Sequence, residues 1–154
     1  MTVATIEIDD GEVKGLLSRV AARVADMAPV MRGVAVDMRL SVVQNFLSQG
    51  RPVRWVQSLR ARRDGGYTLI DTGRLINSFR ISSGPSEAVV FTAVPYATTH
   101  HFGARKGAFG VFTTKTGKNM PIPLGPIPAR PFMMLQDGDK GVIMQKLIKR
   151  VENG

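Results

Sequence analysis

A chain of 154 residues, 44% apolar and 21% charged, is long enough for one domain with a core and ordinary enough in composition that disorder is not expected. It has no cysteine, hence no disulfide, thiolate metal site or cysteine nucleophile; no apolar run nears the ~20 residues that span a bilayer and no signal-peptide pattern opens it, so a cytosolic product with no membrane partner is expected. The net charge of +9 divides as −1 over residues 1–50 (five basic, six acidic), +8 over 51–118 (eleven, three) and +2 over 119–154 (five, three).

Residues 2–8, Thr-Val-Ala-Thr-Ile-Glu-Ile, are β-branched and partly alternating, which predicts a short strand ended by Asp9 and Asp10. Either aspartate can cap a helix whose stripe is Val13, Leu16, Leu17, Val20, Val24 and Met27. Pro29 suits the first turn of a second helix that runs to about Leu47, with Gly50 as its stop. Its stripe of Val30, Met31, Val34, Met38, Val42 and Phe46 is widened by Leu40, Val43 and Leu47. Such breadth predicts a long central helix against which a sheet packs.

From Arg51 to Gly66 the periodicity stops. One reading is a basic arm in which Trp55 stacks on a base while Arg51, Arg54, Arg60, Arg62 and Arg63 track phosphates. The other, which composition favours, is a long connection whose tryptophan plugs an edge of the core while the arginines stay solvated. Asp71 or Thr72 can cap a single helical turn entered through Gly73 and carrying Leu75. Phe79–Ser82 and Glu87–Val94 then flank Ser83-Gly84-Pro85-Ser86 as a hairpin, expected at the centre of the sheet.

Pro95 cannot continue a ladder, so the second strand should end before it and the chain should turn. Tyr96 and Phe102 bracket a polar segment holding the only histidines, His100 and His101. The 23-residue segment Gly103–Gly125 is rich in Gly, Lys and Thr. Within it Phe109–Thr113 and Asn119–Ile122 can pair as a ribbon across Lys115-Thr116-Gly117-Lys118. Pro121, Pro123, Pro126, Pro128 and Pro131 make the stretch before Phe132 a stiff strap, expected to return across the sheet. Asp137 or Asp139 can cap a last helix built on Val142, Ile143, Met144, Leu147, Ile148 and Val151.

Adjacent histidines diverge by about 100° on a helix or point to opposite faces of a strand, and residues 82–125 add only Glu87 as an acid, so no metal site is assigned. No Gly-x-Ser-x-Gly elbow, phosphate-loop spacing or suggestive carboxylate pair is present. No catalytic or cofactor-binding residue is therefore assigned, and an enzyme is the weakest class.

Four segments in order carry a resemblance: Trp55 in the basic connector, Asp71-Thr-Gly-Arg-Leu-Ile-Asn-Ser-Phe, Val94-Pro-Tyr-Ala-Thr-Thr-His-His-Phe-Gly, and Ile127-Pro-Ala-Arg-Pro-Phe. Together they resemble the phage virion morphogenesis or tail completion family of Mu-like and P2-like tailed phages, over about residues 5–150. Tyr96, Ala97, Phe102 and Gly103 match the family's third motif. His100 stands where the family histidine is expected, and His101 falls in a variable place. The resemblance implies a noncatalytic virion protein, in the host cytoplasm during assembly, that finishes the tail or joins it to the head as a ring. Six copies are expected because tails are sixfold, with neighbouring neck and tail proteins as partners. In that role Tyr96, Phe102 and Phe132 can form an aromatic cluster, Phe102 and Phe132 sealing the subunit core. Arg130, ahead of Pro131, can reach carbonyls or an acidic side chain.

The resulting expectation is one α+β domain over residues 1–154. Two N-terminal helices and a C-terminal helix pack on a small, mostly antiparallel sheet, with an extended loop or ribbon over 103–126. Arg51, Arg54, Arg60, Arg62, Arg63, Arg105, Lys106, Lys115 and Lys118 are candidates for contact with DNA in the channel or with an acidic protein ring. The rival reading is a basic nucleic-acid-binding module using residues 51–66 and 103–118. It lacks any recognisable helix-turn-helix, zinc-finger or RNA-recognition pattern.

Overall fold

A computed structural model describes residues 11–153; the strand expected over residues 2–8 and its Asp9 and Asp10 caps lie outside them. The order is α1 (Gly11–Ala25), α2 (Ala28–Leu47), α3 (Leu59–Asp64), a 3-10 turn (Ile76–Ser78), β1 (Arg80–Ser83), β2 (Ala88–Phe91), α4 (Ala97–Phe102), β3 (Val111–Thr113), β4 (Asn119–Pro121) and α5 (Asp137–Asn153). The class is α+β, as expected.

α2 is the spine. Pro29 occupies its first turn, where a missing N–H costs nothing. Val34, Ala35, Val42 and Phe46 are buried along one side, with Ser41 and Asn45 between them. The helix is closed by Ser48 N–H to Gln44 O and Gly50 N–H to Asn45 O, at 2.9 and 2.8 Å. Gly50 has φ +107°, and a Cβ there would lie 2.5 Å from Val53 O and 2.7 Å from Trp55 N. Only glycine allows the chain to double back so closely. That reversal sets the Trp55 ring edge-on to Phe46, 5.6 Å between centroids.

β1 and β2 pair antiparallel, Arg80 opposite Phe91 and Ser83 opposite Ala88, and both rest on α2. The core joins them: Val42, Phe46, Leu75, Phe79, Val90, Ala97 and Phe132 are buried together, with Trp55 and Met38 packed alongside.

Four expectations change. The hairpin is a complete two-stranded sheet rather than the centre of a larger one, since β3 and β4 pair only with each other, Val111 opposite Pro121. β2 stops at Phe91 rather than Val94. Thr92 would face Phe79, whose ring is in the core, and the Thr92 hydroxyl instead lies 2.6 Å from Ser78 Oγ and accepts Val94 N–H at 3.2 Å. α5 packs on α2 and α1, not on the hairpin. The basic connector also contains a helix, α3, because the Ser58 hydroxyl accepts Ala61 N–H at 3.2 Å and Gly65 ends it at φ +73°.

The helix ends are closed by side chains from other elements. Arg23 of α1 donates to Val151 O and Glu152 O of α5, at 3.1 and 2.7 Å, and Arg150 of α5 donates to Asp26 O at 3.2 Å. Asp139 accepts Gln136 N–H at 3.0 Å, the returning half of a capping box. The same carboxylate accepts from Ser41 Oγ and pairs with Arg51 at 3.2 Å. Partial burial pushes the Asp139 carboxyl up, but these hydrogen bonds and the Arg51 charge outweigh it and hold the group below its ordinary value.

Candidate assembly site

The family-like segments converge on α4. Pro95 and Tyr96 turn the chain, Ala97 N–H donates to Val94 O at 3.0 Å, and the single helical segment Ala97–Phe102 follows. Its buried side, through Ala97, is in the core. At its end Gly103 has φ +78°, and a Cβ there would sit 2.7 Å from Ile127 O and 2.8 Å from Ala129 N. Glycine is required because the proline strap crosses directly over it.

The strap is pinned to α4, and its end, at Phe132 and Met133, lies beside Val90 and Phe91 of the hairpin. Ala104 and Ile127 exchange backbone hydrogen bonds at 2.9 and 2.7 Å, and Arg130 N–H donates to His100 O at 2.9 Å. Phe132 is thereby driven into the core, 5.1 Å from the Phe46 ring and 5.7 Å from Phe79.

Because the two histidines are consecutive on a helix, they serve different sides. His101 Nδ1 accepts the N–H groups of Phe132 and Met133, at 3.3 and 3.4 Å, and its ring lies 4.9 Å from Phe132. It lines an apolar depression of about 380 Å³ with Val90, Phe91, Phe102 and Met133. His100 lines a second, polar cleft of about 230 Å³ with Arg60, Thr72, Arg74, Tyr96 and Arg130. Among the described residues no group of three His, Cys, Asp or Glu side chains could hold a metal.

Burial lowers the protonation of both histidines, and the Arg130 charge lowers His100 further. The folded state therefore favours neutral imidazole. Stability from these groups is present above the unfolded value near 6.5 and is lost as pH falls through the lower folded values. Melting temperature should fall as pH is taken from 7.5 to 5. The His100→Gln, His101→Gln double variant should show a flatter profile over that range. An unchanged profile would contradict the role of His101 Nδ1 as the acceptor of the Phe132 and Met133 N–H groups.

The expected aromatic cluster takes a different form. Phe132 is buried, but its ring partners are Phe46, Phe79 and His101. Tyr96 instead faces His100 at 5.8 Å and carries Arg74 over its ring at 5.9 Å. Phe102 does not seal the core, being 73% exposed. Its neighbour in sequence, His101, is held by the strap, which leaves Phe102 on the outer side of a one-and-a-half-turn helix.

The candidate contact cations also separate. Arg51 is half-buried and binds Asn45 Oδ1, Ser41 O and Asp139, so it is an internal brace rather than a surface contact. Arg60 donates to Tyr67 O and Ile70 O and lies 3.6 Å from Asp71; Arg63 pairs with Asp64 at 2.6 Å. Arg54, Arg62, Arg105, Lys106, Lys115 and Lys118 are exposed and have no ion pair among the described residues. Arg130 does reach a carbonyl, Nε to Val56 O at 3.0 Å.

A family model described as the phage virion morphogenesis family matches residues 8–152. The chain belongs to that family. It is 36% identical over 143 residues, 92% of this chain and 91% of the relative, to "Mu-like prophage FluMu G protein 2" of Haemophilus influenzae. No solved structure matches it. Membership in the virion morphogenesis family gives the chain a structural role in the phage virion.

Sequence reasoning overlooked Asn45, Ser41 and Arg74. Asn45 and Ser41 interrupt the apolar stripe of α2 at helical spacing, the one signal that could have marked them as buried polar braces. Arg74 lies inside the Asp71–Phe79 motif but gave no separate sign of facing a cleft.

Proposed function

We propose that this virion morphogenesis protein is a noncatalytic tail completion or head–tail joining component that closes into a ring, expected to be sixfold, at the neck of a tailed phage. One observation carries this reading: regular helix faces are left without cover in the single chain. Leu16, Leu17 and Val24 on α1 are exposed within one side of the helix, as are Met144 and Ile148, four residues apart, on α5. Apolar surface at helical spacing on two elements that pack on each other is what a head-to-tail neighbour covers in a closed ring.

The β3–β4 ribbon supports the same reading. A two-stranded ribbon is marginal alone, and Phe109, Val111 and Phe112 on or beside it are exposed. Neighbouring subunits would cover these side chains and offset the entropy of ordering residues 103–125. The six exposed cations suit weak, sequence-independent contact with DNA in the channel, alongside specific docking to neck and tail proteins. Such contact would weaken with salt at a log-log slope near 0.9 per phosphate neutralised.

Deleting the gene from its phage should leave filled heads and tails unjoined, and adding purified protein to that lysate should restore infectious particles. Normal particles from the deletion would overturn the reading.

A further inference from the structure

We propose that the cleft between the Asp71–Leu75 turn and α4 receives a carboxylate, presented on a slender loop of an acidic partner protein. The inference uses the functional reading above only in taking that partner to be a virion protein.

Arg130 is 5% exposed, yet only its Nε is engaged, with Val56 O at 3.0 Å. Among the described residues no carboxylate lies within ion-pair distance of it, and its two terminal nitrogens make no hydrogen bond there and are not sealed from the cleft. A buried cation without a counterion is costly, and a guanidinium is built to take two oxygens at once. The cleft that Arg130 lines also holds Arg60, Arg74, Ser58, Tyr96 and His100. Asp71 at the rim is 3.6 Å from Arg60 and offsets one of the three arginine charges, leaving two. Arg74 has no ion pair and rests over the Tyr96 ring.

On the same wall His100 Nδ1 is buried without a partner. Burial, and after it the Arg130 charge, push that imidazole towards its neutral form.

Size and charge choose the occupant. A volume of about 230 Å³ admits one side chain. Duplex phosphates, carried on a convex rod, would need exposed cations rather than one sunk to 5% exposure. A second copy fits poorly because the chain carries +9 and would bring its own excess of cations to a cationic cleft. An acidic protein of different sequence fits both constraints.

The test titrates the isotope-labelled full chain with sodium acetate, sodium phosphate and sodium chloride at matched ionic strength, following the Arg130 Nε–H and His100 ring signals. Acetate should shift both signals saturably, and Arg74→Gln should weaken it by about tenfold without changing the melting temperature. A response to acetate no different from chloride, or phosphate binding tighter than acetate, would overturn the proposal. In a second arm, Arg74→Glu should reduce attachment to particles lacking the protein by about tenfold or more. Undiminished attachment, or cross-links from the Arg74 position to a second copy or to DNA, would overturn the acidic partner. Failure of the unaltered protein to attach at all would count against the virion reading instead, since the acetate arm does not depend on it.

Discussion

Replacing Phe132 with alanine should destabilise the fold by roughly 3–5 kcal/mol, a large part of the 5–15 kcal/mol typical of a domain this size. The ring is fully buried against Phe46 and Phe79, and it is the point at which the proline strap enters the core. Its loss leaves a cavity that the helix and hairpin on either side cannot both close. The strap is also held by Arg130 N–H to His100 O and by His101, so loosening Phe132 loosens α4. Phe102→Ala is the control: at 73% exposed it should change stability by no more than about 0.5 kcal/mol. Trp55, the only tryptophan, lies against Phe46 and reports unfolding directly. An unfolding free energy from urea titration for Phe132→Ala within about 1 kcal/mol of the parent would contradict the described core.

Asn45→Leu should cost on the order of 3 kcal/mol or more, although leucine is apolar and similar in size. Asn45 is fully buried; its amide donates to Phe132 O at 2.7 Å and Met134 O at 2.8 Å, and its carbonyl accepts Arg51 Nε at 2.8 Å. The substitution strands two carbonyls and one charged donor, each unsatisfied group costing about 1–3 kcal/mol when buried. Relief from Arg51's other bonds, to Ser41 and Asp139, keeps the total below the sum. Equilibrium unfolding checks this, and a neutral or stabilising result would show that the Asn45 hydrogen bonds do not stabilise the strap.

The sequence was legible wherever a local rule governed the backbone. Pro29, the stripe through Val34, Val42 and Phe46, and Gly50 delimit α2 as expected, and the Lys115–Lys118 turn lies between β3 and β4. Glu87–Val94 misled because β-branched residues continue past Phe91, where the pairing partner has already turned into the core as Phe79. α3 was hidden in a run of arginines that bury no stripe, its start depending on the Ser58 cap. The site was less legible than the fold. Pro95, Tyr96 and Gly103 mark the α4 turn, but a +8 segment does not reveal that Arg51 braces α5 or that Arg60 caps carbonyls. Those assignments depend on contacts spanning 88 residues between Arg51 and Asp139, or on a loop that happens to return. His101 gave no sign of being the histidine that holds the strap, since that role exists only once Phe132 lies beside it.

The most direct test of the central claim is a cryo-electron-microscopy reconstruction of the head–tail junction of the intact phage. A closed ring of density that accepts this fold is expected there, with the apolar faces of α1 and α5 covered by adjacent subunits. Density for the chain elsewhere in the particle, or a junction complete without it, would contradict the claim.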